Sequence, residues 1–599
     1  MSHTKQKLEL TWIGKEKRPK LEPRILLEDP EKSYHAKHRI SDNDIFDNRL
    51  IFGDNLLALK ALEQEFSGQV KCIYIDPPFN TGAAFEHYDD SVEHSTWLGL
   101  MRDRLEILRR LLSRDGVIFI HIDDKEMAYL RVMCDEIFGR DQFLNMIVVK
   151  TSDPSGHKTV NPSPYSQTEY LLMYARERSS YKYEQIYVES SYDPGYGKII
   201  LNRSEHYSKW QVGGLNEVVA ASLNFKDTRA ARKAMGRMTF DAAVAGYALE
   251  HRDSVFQATA ISDAAGRTIV DAREASKRQK DKVICVERNG YDDVYVLNGR
   301  QVYFYSSKVR EIDGEHVPAK PLTNLWTDIP WNGIAGEGGV EFKNGKKPEK
   351  LIKRCLEIAT KPGDLVLDSF AGSGTTGAVA HKMGRRWVMI ELGEHCHSHV
   401  IPRLKAVIDG SDPGGITESV NWQGGGGFRY YKLAPSLIVN DRWGNPVINP
   451  EYNATHLAEA LCKLEGFTYE PSEIQWWQHG YSSERDFICV TTQNLSSEQL
   501  QALSDEVGGD KSLLVCCAAF HGVTAAKASE RWPNLTLKKI PKMVLARCHW
   551  GRDDYSLNVA NLPMAQVEMP ESAAVVNAVK SSKSKKAAPG QGGLFGENE

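Results

Sequence analysis

The chain has 599 residues, of which 41% are hydrophobic and 26% are charged, and its formal net charge is −4. These values are typical of a soluble globular protein with several domains, and the charge neither favours nor excludes a nucleic-acid partner. No apolar run reaches the roughly 20 residues of a membrane span, and no apolar signal-peptide core follows the first methionine. The ten cysteines are scattered and indicate no disulfide framework, so we expect a cytoplasmic protein without a membrane partner.

Strand and helix patterns alternate in the first third of the chain. An apolar, β-prone run at 70–75 precedes a helical pattern at 97–112, in which leucine and methionine recur at three- and four-residue steps. A second buried-type strand follows at 117–122, and another helical stretch at 125–138. Alternation of this kind predicts βαβ units and a mostly parallel sheet.

The alternation of strand and helix patterns stops near residue 150, where several prolines begin a region with basic helical stretches. It resumes at Glu349. Two pieces of one α/β sheet are therefore predicted to flank an inserted module. The polar C-terminal tail is expected to be disordered. The predicted segments are an N-terminal extension (1–48), the first half of the sheet domain (49–184), an inserted domain (185–325), the second half (326–435), a C-terminal α/β domain (436–568) and the tail (569–599).

The first predicted strand ends on the tetrapeptide Asp76-Pro77-Pro78-Phe79. Two consecutive prolines remove two backbone donors and fix two φ angles. One interpretation is a strand terminator followed by a turn at 80–82, where the sequence is Asn-Thr-Gly. The other is a rigid spur that presents a carboxylate and a main-chain carbonyl, with an aromatic face beside them.

A glycine-rich loop, DLVLDSFAGSGTTG, occupies residues 364–377. Gly372, Gly374 and Gly377 match the G-x-G-x-x-G pattern of dinucleotide-binding loops, and Glu391 ends the next strand 19 residues after the first glycine. A phosphate-binding P-loop is excluded, because alanine and valine follow the last glycine where lysine and serine or threonine are required.

The position of Asp368, four residues before the first glycine, bears on which cofactor the loop would bind. A pyrophosphate needs a tight turn that begins with glycine at a helix N-terminus. A carboxylate at the strand end instead favours a cationic cofactor such as S-adenosylmethionine, with its amino group and sulfonium. A nicotinamide cofactor and a purely structural turn remain the alternatives.

The order of these two motifs resembles the β class of amino-group DNA methyltransferases, in which the catalytic half precedes the cofactor half. Gly53-Asp54 and the stretches TWLGLMRDRLEILRRLL, GVIFIHIDD, FKNGKKPEKLI and WQGGGGFRYYKL further resemble the modification (Mod) subunit of Type III restriction–modification systems. The resemblance covers residues 48–180 and 325–435. It implies a Rossmann-like methyltransferase sheet built from two sequence halves, S-adenosylmethionine as cofactor and double-stranded DNA as substrate.

The resemblance also implies site residues and their roles. The catalytic residues would be Asp76, Pro77, Pro78 and Phe79. The cofactor-binding residues would be Asp54 for the adenine, Lys347 in a KP-containing segment, Asp368, Phe370, Gly372, Ser373, Gly374 and Thr375 for the methionine end, and Glu391 for the ribose hydroxyls. The residues that precede the KP pair here, at 343–346, differ from those usual in the family.

The chemistry of amine methylation explains why a carboxylate and a rigid carbonyl suit this reaction. The lone pair of adenine N6 is delocalised into the ring, so two acceptors that bind its N–H groups make the nitrogen a better nucleophile. The Asp76 carboxylate and the Pro77 carbonyl could be these acceptors, fixed before the substrate enters. The base must first rotate out of the duplex, and Phe79 could then stack on it. The family resemblance further implies adenine N6 over cytosine N4 as the target, because the tetrapeptide begins with Asp, where related cytosine-N4 enzymes often carry Ser.

The inserted domain is the natural candidate for recognition of the DNA sequence. Lys226, Arg229, Lys233 and Arg237 recur at three- and four-residue steps, which predicts one basic helical face. A second basic cluster, at 273–282, includes Lys277 and Arg278. Such residues would contact phosphates and carry no sequence information, and a solvated helix face is the alternative for each cluster.

The remaining predictions concern the partners of the chain, metal binding and alternative functions. The family resemblance implies a homodimer that associates with a helicase–nuclease (Res-type) or other phage-defence subunit, with the C-terminal domain as a candidate contact. The stretch at 394–399 is rich in histidine, but its side chains would point to different helix faces, so we expect no metal. The alternative functions are an NAD-dependent oxidoreductase and a DNA-binding assembly factor with weak or conditional methylation.

Overall fold

The computed structural model describes residues 9–79, 90–153, 164–312, 314–342, 345–412 and 414–556. The turn predicted at 80–82, part of the segment at 343–346 and the tail predicted at 569–599 lie outside these residues. No helix within the described ranges combines the length and the apolarity that a membrane crossing requires.

The first part of the chain contains seven strands and three helices. The strands are β1 (Leu26–Glu28), β2 (Tyr34–His35), β3 (Asn48–Phe52), β4 (Val70–Ile75), β5 (Leu112–Ile122), β6 (Phe143–Lys150) and β7 (Thr168–Ala175). The helices are α1 (Asn55–Phe66), α2 (Asp90–Leu111) and α3 (Met127–Cys134). The helix predicted at 125–138 is thus shorter, because the chain passes into a π-helical turn at Asp135–Gly139.

The inserted part forms its own sheets. Its strands are β8 (Tyr187–Glu189), β9 (Lys198–Ile200), β10 (Val212–Gly214), β11 (Val255–Ala260), β12 (Val283–Val286), β13 (Val294–Leu297), β14 (Arg300–Phe304), β15 (Val309–Ile312) and β16 (Glu315–Pro321). Its helices are α4 (Leu215–Ser222), α5 (Thr228–Met235), α6 (Arg237–Glu250) and α7 (Arg267–Arg278). Strands β10-β9-β11-β14-β13-β12 form one sheet, and β15-β16-β8 form a second.

The remaining elements belong to the second half of the main sheet and to the C-terminal domain. The second half comprises β17 (Leu325–Trp326), α8 (Glu349–Ala359), β18 (Leu365–Asp368), α9 (Thr375–Lys382), β19 (Arg386–Glu391), α10 (Ile401–Ile408) and β20 (Gly427–Leu433). The C-terminal domain comprises β21 (Ile438–Asn440), β22 (Pro446–Ile448), α11 (Ala454–Glu465), β23 (Thr468–Tyr469), β24 (Gly480–Ser483), β25 (Asp486–Val490), β26 (Asn494–Leu495), α12 (Ser497–Val507), β27 (Ser512–Cys517), β28 (Ala519–Phe520), α13 (Ala525–Arg531), β29 (Leu535–Lys539) and α14 (Lys542–Leu545).

The main sheet joins both halves of the chain in the order β1-β20-β3-β19-β18-β4-β5-β7-β6-β17, and β2 also pairs with β20. Its centre, β20-β3-β19-β18-β4-β5, is parallel, and β7 runs antiparallel to β5 and β6. Strands of the two halves meet where β3 pairs with β20 and β19, and again at the parallel pair β18 and β4, which we call the seam. The segment predicted only as an N-terminal extension contributes β1 and β2.

Both faces of this sheet are buried, as its continuous apolar strands require. Along β4, Ile73 and Ile75 face one core that contains α1 and α2, whereas Cys72 and Tyr74 face another that contains α8 and α9. Because side chains alternate along a strand, each central strand contributes to both cores. The result is a three-layer α/β domain in which the carboxyl ends of the central parallel strands lie at one edge of the sheet.

Candidate active site

The carboxyl ends of β4, β18 and β19 lie side by side, and each is followed or ended by an acidic residue: Asp76, Asp368 and Glu391. The chain leaves β4 for β5 on one side and β18 for β19 on the other, so the seam is a topological switch point. Ligands of open α/β sheets bind in the crevice at such a point. A cavity of about 670 Å³ opens here, and both predicted motifs line it.

The two carboxylate oxygens of Asp76, which lines this cavity, differ in their contacts. Its Oδ2 lies 3.1 Å from Lys347 Nζ. Its Oδ1 is buried and accepts no hydrogen bond from any group that the structure describes. The backbone after it is held by Trp97, whose indole N–H donates to the Pro78 carbonyl at 3.0 Å. Phe79 is half-buried, with its ring centroid 5.0 Å from Lys347 Nζ.

Lys347 connects Asp76 to a buried polar network that the sequence alone did not reveal. Its Nζ lies 3.6 Å from Glu169 on β7, whose carboxylate lies 2.7 Å from His121 Nε2 on β5. The other ring nitrogen of His121 hydrogen-bonds the Tyr74 hydroxyl at 2.8 Å. The network thus runs from Asp76, at the carboxyl end of β4, into the sheet.

The charges in this network shift the pKa values of its members in opposite directions. Burial alone would raise the pKa of Glu169, but its contacts with His121 and Lys347 lower that pKa to about 2. Burial alone would lower the pKa of Lys347, but Asp76 and Glu169 raise it above its ordinary value. A lysine with two carboxylates therefore remains charged next to Asp76.

Asp368 is 2% exposed, ends β18 just before the turn of the glycine-rich loop and lines the cavity. Its carboxylate accepts hydrogen bonds from the Phe370 amide at 2.9 Å and the Thr376 hydroxyl at 2.6 Å. Burial, reinforced by the charges of Asp76 and Glu391, nevertheless raises the pKa of Asp368 to about 7. Three acidic groups around one cavity create a site that favours a cation.

The loop itself takes its shape from glycines in left-handed conformations. Gly372 has a φ of 54° and Gly374, which precedes α9, has a φ of 77°. A side chain at Gly374 would also come within 3.0 Å of Val400. Phe370, Gly372, Ser373 and Thr375 line the cavity. The loop therefore brings four of its predicted cofactor-binding residues to the site.

Glu391 is fixed at the cavity wall by three partners. Its carboxylate accepts hydrogen bonds from the amides of Gly372 at 2.7 Å and Gly393 at 2.8 Å, and it lies 3.0 Å from His395 Nε2. The hydrogen bond to Glu391 raises the pKa of His395. His395 was considered at the sequence level only as part of a metal-like cluster, and it lines the cavity beside Glu391.

Asp54 occupies a position that does not suit its predicted contact with the adenine of the cofactor. It is fully buried, and the described cavity lining includes its neighbour Asn55 but not Asp54. Its carboxylate caps α1 through the amides of Leu56 and Leu57 at 2.9 and 3.1 Å, and it accepts a third hydrogen bond from the Tyr555 amide at 2.8 Å. These contacts give Asp54 a structural role at the start of α1.

The basic residues predicted to share one helical face are instead divided among three positions. Lys226 precedes the N-cap of α5, Arg229 and Lys233 lie on α5, and Arg237 begins α6. The prediction of a continuous helix was wrong because Gly236, with a φ of 86°, separates α5 from α6. All four side chains are exposed. Lys277 and Arg278 are exposed at the end of α7, and Lys277 pairs with Glu274 at 2.8 Å.

Sequence reasoning missed several residues that line the cavity or support it. Glu169, His121, Asn55, Arg104 and Ser556 were assigned no role from the sequence, although Arg104 and His121 lie in two of the stretches that carry the family resemblance. A signal existed for two of them, since Glu169 and His121 are polar residues within otherwise apolar strands, TEYLLMYA and GVIFIHI. A polar group placed in a buried strand generally has a partner or a function.

The family model described as DNA methylase matches residues 70–198 and 196–401. Among similar proteins, the probable type III restriction-modification enzyme HindVI Mod subunit of Haemophilus influenzae is 35% identical over 431 residues, covering 66% of this chain and 55% of that protein. The type III EcoPI Mod subunit of Escherichia phage P1 is 28% identical, covering 63% and 62%. The type III EcoP15I Mod subunit of Escherichia coli is 24% identical over 620 residues, covering 89% and 90%. The chain thus matches less than two thirds of the length of the first two relatives.

Proposed function

Since the chain belongs to this DNA methylase family, we propose that it transfers a methyl group from S-adenosylmethionine to N6 of a specific adenine in double-stranded DNA. The family match is consistent with the resemblance to β-class enzymes that the two motifs indicated. The relatives whose names describe Mod subunits support a role as the modification subunit of a Type III restriction–modification or other phage-defence system. The observation that carries the proposal is the single cavity lined by both the Asp76–Phe79 segment and the 368–375 loop.

The residues of the cavity fit the proposed cofactor. S-adenosylmethionine supplies an activated methyl group on a positively charged sulfur. Asp368, Glu391 and Asp76 surround the space in which that charge would lie, and Asp368 would ionise more readily beside a cation. We assign Asp368 and the loop to the methionine end and Glu391 to the ribose hydroxyls.

The residues at the opposite wall fit an extruded adenine. Asp76 Oδ1 is a buried acceptor that can take one N–H of the amine, and the Pro77 carbonyl can take the other. The following carbonyl is already occupied by Trp97, which fixes the direction of the peptide. Phe79 offers a half-buried face for stacking. No metal or covalent intermediate is required for direct transfer between the two walls.

The oxidoreductase alternative is disfavoured by the charge of the cavity. The pyrophosphate of a dinucleotide would lie among Asp76, Asp368 and Glu391, whose negative charges would oppose it. Calorimetric titration with S-adenosylmethionine and with NAD separates the two proposals. We expect heat of binding from the first ligand alone.

The test of the proposed function is the Asp76→Ala variant. We expect methyl transfer to duplex DNA to fall below detection, because the amine loses its charged acceptor, while cofactor affinity stays within about threefold of wild type. Lys347 keeps Glu169 as a partner, so the fold should survive. Methyl transfer is measured with isotopically labelled cofactor.

The matched control is Asp123→Ala, which removes the aspartate just after β5 at the same edge of the sheet, outside the described cavity lining. This variant should retain methyl transfer. Equal loss of transfer and cofactor binding in Asp76→Ala would contradict the role assigned to Asp76.

We also propose that the protein acts as a homodimer and associates with a helicase–nuclease subunit, as the family resemblance implies. The C-terminal domain, with its own parallel strands β25, β27 and β29, is the candidate contact. Light scattering of the purified chain gives its oligomeric state directly. A monomer at micromolar concentration would exclude a stable dimer.

A further inference from the structure

Residues 552–556, which we call the C-terminal strap, leave the C-terminal domain and return to the main sheet. Their first anchor is Arg24, a side chain that is 1% exposed. The Arg24 guanidinium donates to the Arg552 carbonyl at 3.2 Å and to the Asp553 carboxylate at 2.7 Å. The strap is therefore tied to the segment just before β1 of the main sheet before it reaches the cavity.

The second anchor of the strap is Tyr555, which is 7% exposed and packs in the core around α1 and α2. Its amide donates to Asp54 Oδ2 at 2.8 Å, and its carbonyl accepts from the Arg104 guanidinium at 3.1 Å. The Asp54 oxygen that caps α1 is the other one. Asp54 thus holds the helix and the strap together.

Arg104 continues these contacts to the glycine-rich loop. Its Nε donates to Asn55 Oδ1 at 2.5 Å, and Asn55 donates to the Ser369 carbonyl at 2.7 Å. Ser369 follows Asp368, so the chain of hydrogen bonds ends at the methionine end of the proposed cofactor site. Asn55, Arg104, Ser369 and Ser556 all line the cavity.

We propose that the C-terminal strap is a wall of the cofactor site and positions Arg104 for the carboxylate of the cofactor's amino-acid end. This inference rests on the proposed function. The amino-acid end carries an ammonium and a carboxylate, and Asp368 accounts only for the ammonium. Arg104 and Lys347 are the two lysine or arginine residues in the described lining. Lys347 lies at Asp76 and Glu169, whereas Arg104, which also lies 3.6 Å from Asp54 Oδ2, reaches the glycine-rich loop through Asn55 and is therefore the complementary cation at this end.

A physical consequence is that strap docking and cofactor binding stabilise each other. A cofactor that binds more tightly when the strap is docked increases the fraction of molecules with a docked strap. By the same coupling, a docked strap increases the affinity for the cofactor. The C-terminal end of the described chain would thereby contribute to cofactor affinity, although it lies more than 150 residues beyond the glycine-rich loop in sequence.

The experiment compares Tyr555→Ala with Tyr555→Phe in the full chain. The alanine variant removes the buried ring that anchors the strap, whereas the phenylalanine variant keeps the ring and the backbone contacts. The probes are S-adenosylhomocysteine, which has the amino-acid end, and 5′-methylthioadenosine, which lacks it. We expect Tyr555→Ala to weaken S-adenosylhomocysteine binding by about tenfold and methylthioadenosine binding by no more than about twofold.

Each outcome of the titrations has a distinct meaning. Equal weakening of both ligands, or no weakening of either, would overturn the assignment of the strap to the amino-acid end. Tyr555→Phe should bind both ligands as wild type does. If wild-type protein bound neither ligand, the proposed function itself would fail, and the strap would not be the cause.

A second measurement uses only wild-type protein, so it does not depend on the folding of a variant. Hydrogen exchange of the Tyr555 amide is followed alone, with S-adenosylhomocysteine and with methylthioadenosine. Slower exchange with the first ligand and little change with the second is the expected result. Unchanged exchange with saturating S-adenosylhomocysteine would contradict the coupling.

Discussion

Asp76 does not act as an isolated carboxylate, because a charged lysine lies against one of its oxygens. The ammonium of Lys347 lies 3.1 Å from Oδ2 and is itself balanced by Glu169. The free Oδ1 can accept a hydrogen bond from the substrate amine. Lys347 was predicted as a cofactor-binding residue, and its contact with Oδ2 also orients the Asp76 carboxylate.

Asp368 gives the protein a predicted pH dependence. Burial raises its pKa to about 7 in the free protein, so the carboxyl is increasingly protonated below that pH. If a cationic cofactor binds only the ionised form, its affinity should fall by about tenfold for each pH unit below 7. Calorimetric titration from about pH 5.5 to about pH 7.5, on either side of that pKa, gives the slope.

The control for this pH dependence is Asp368→Asn, which cannot ionise. Its cofactor affinity should be weak and should vary little with pH over the same interval. A wild-type affinity independent of pH would contradict the assignment of Asp368 to the cationic end. A slope that persists in Asp368→Asn would place the titrating group elsewhere.

At the scale of elements, the sequence predicted well what depends on local patterns. The strand at 70–75 and the glycine-rich loop between β18 and α9 occur at the expected residues, because apolar runs and obligatory glycines act over a few positions. The sequence predicted one sheet built from two halves, but it did not predict that β18 pairs with β4. Cross-strand partners such as Glu169 and His121 were missed, because no local signal joins residues 48 apart in the chain.

The basic residues of the insert show the limit of periodicity as evidence. A three- and four-residue spacing predicts one face only when the helix is continuous, and Gly236 interrupts it here. The two segments, α5 and α6, still present their basic residues to solvent. A contact with DNA phosphates therefore remains a prediction for each residue separately.

Lys233 offers a direct test of that contact. We expect Lys233→Ala to weaken binding to all duplexes alike and to lower the slope of log affinity against log salt by about 0.9, because one fewer phosphate is neutralised. Fluorescence anisotropy over a salt series measures both quantities. Lys60→Ala, which removes an exposed lysine from α1 of the sheet domain, is the control and should change neither. A change in which sequence is methylated would contradict a backbone contact.

At the scale of the molecule, the active site exists only because distant parts of the chain meet. The edge at which the cavity opens combines β4 from the first half with β18 and β19 from the second, and Ser556 reaches it from beyond the C-terminal domain. The inserted domain lies between the halves in sequence without interrupting their sheet. This is possible because its first strand, β8, pairs with its last strand, β16.

The insert enters and leaves the sheet domain at one place. Strand β8 pairs with β16, with Tyr187 opposite Pro321, and the Leu322 amide donates to the Ile186 carbonyl at 2.8 Å. Paired strands in an antiparallel ladder have Cα atoms only about 4.5–5.5 Å apart. A short linker can therefore span the two ends without moving the rest of the sheet.

Replacement of residues 187–321 by a linker of about four glycine and serine residues tests whether recognition and catalysis are physically separable. We expect the shortened protein to fold and to bind S-adenosylmethionine within about threefold of wild type, because the described cavity lining contains no residue of the insert. Its affinity for duplex DNA and its methyl transfer should fall to background, because the insert supplies the predicted phosphate contacts.

Calorimetry measures cofactor binding, fluorescence anisotropy measures DNA binding, and labelled cofactor measures methyl transfer. Full-length Asp76→Ala is the control that should bind DNA without methyl transfer. Site-specific methylation by the shortened protein would show that another part of the chain reads the sequence.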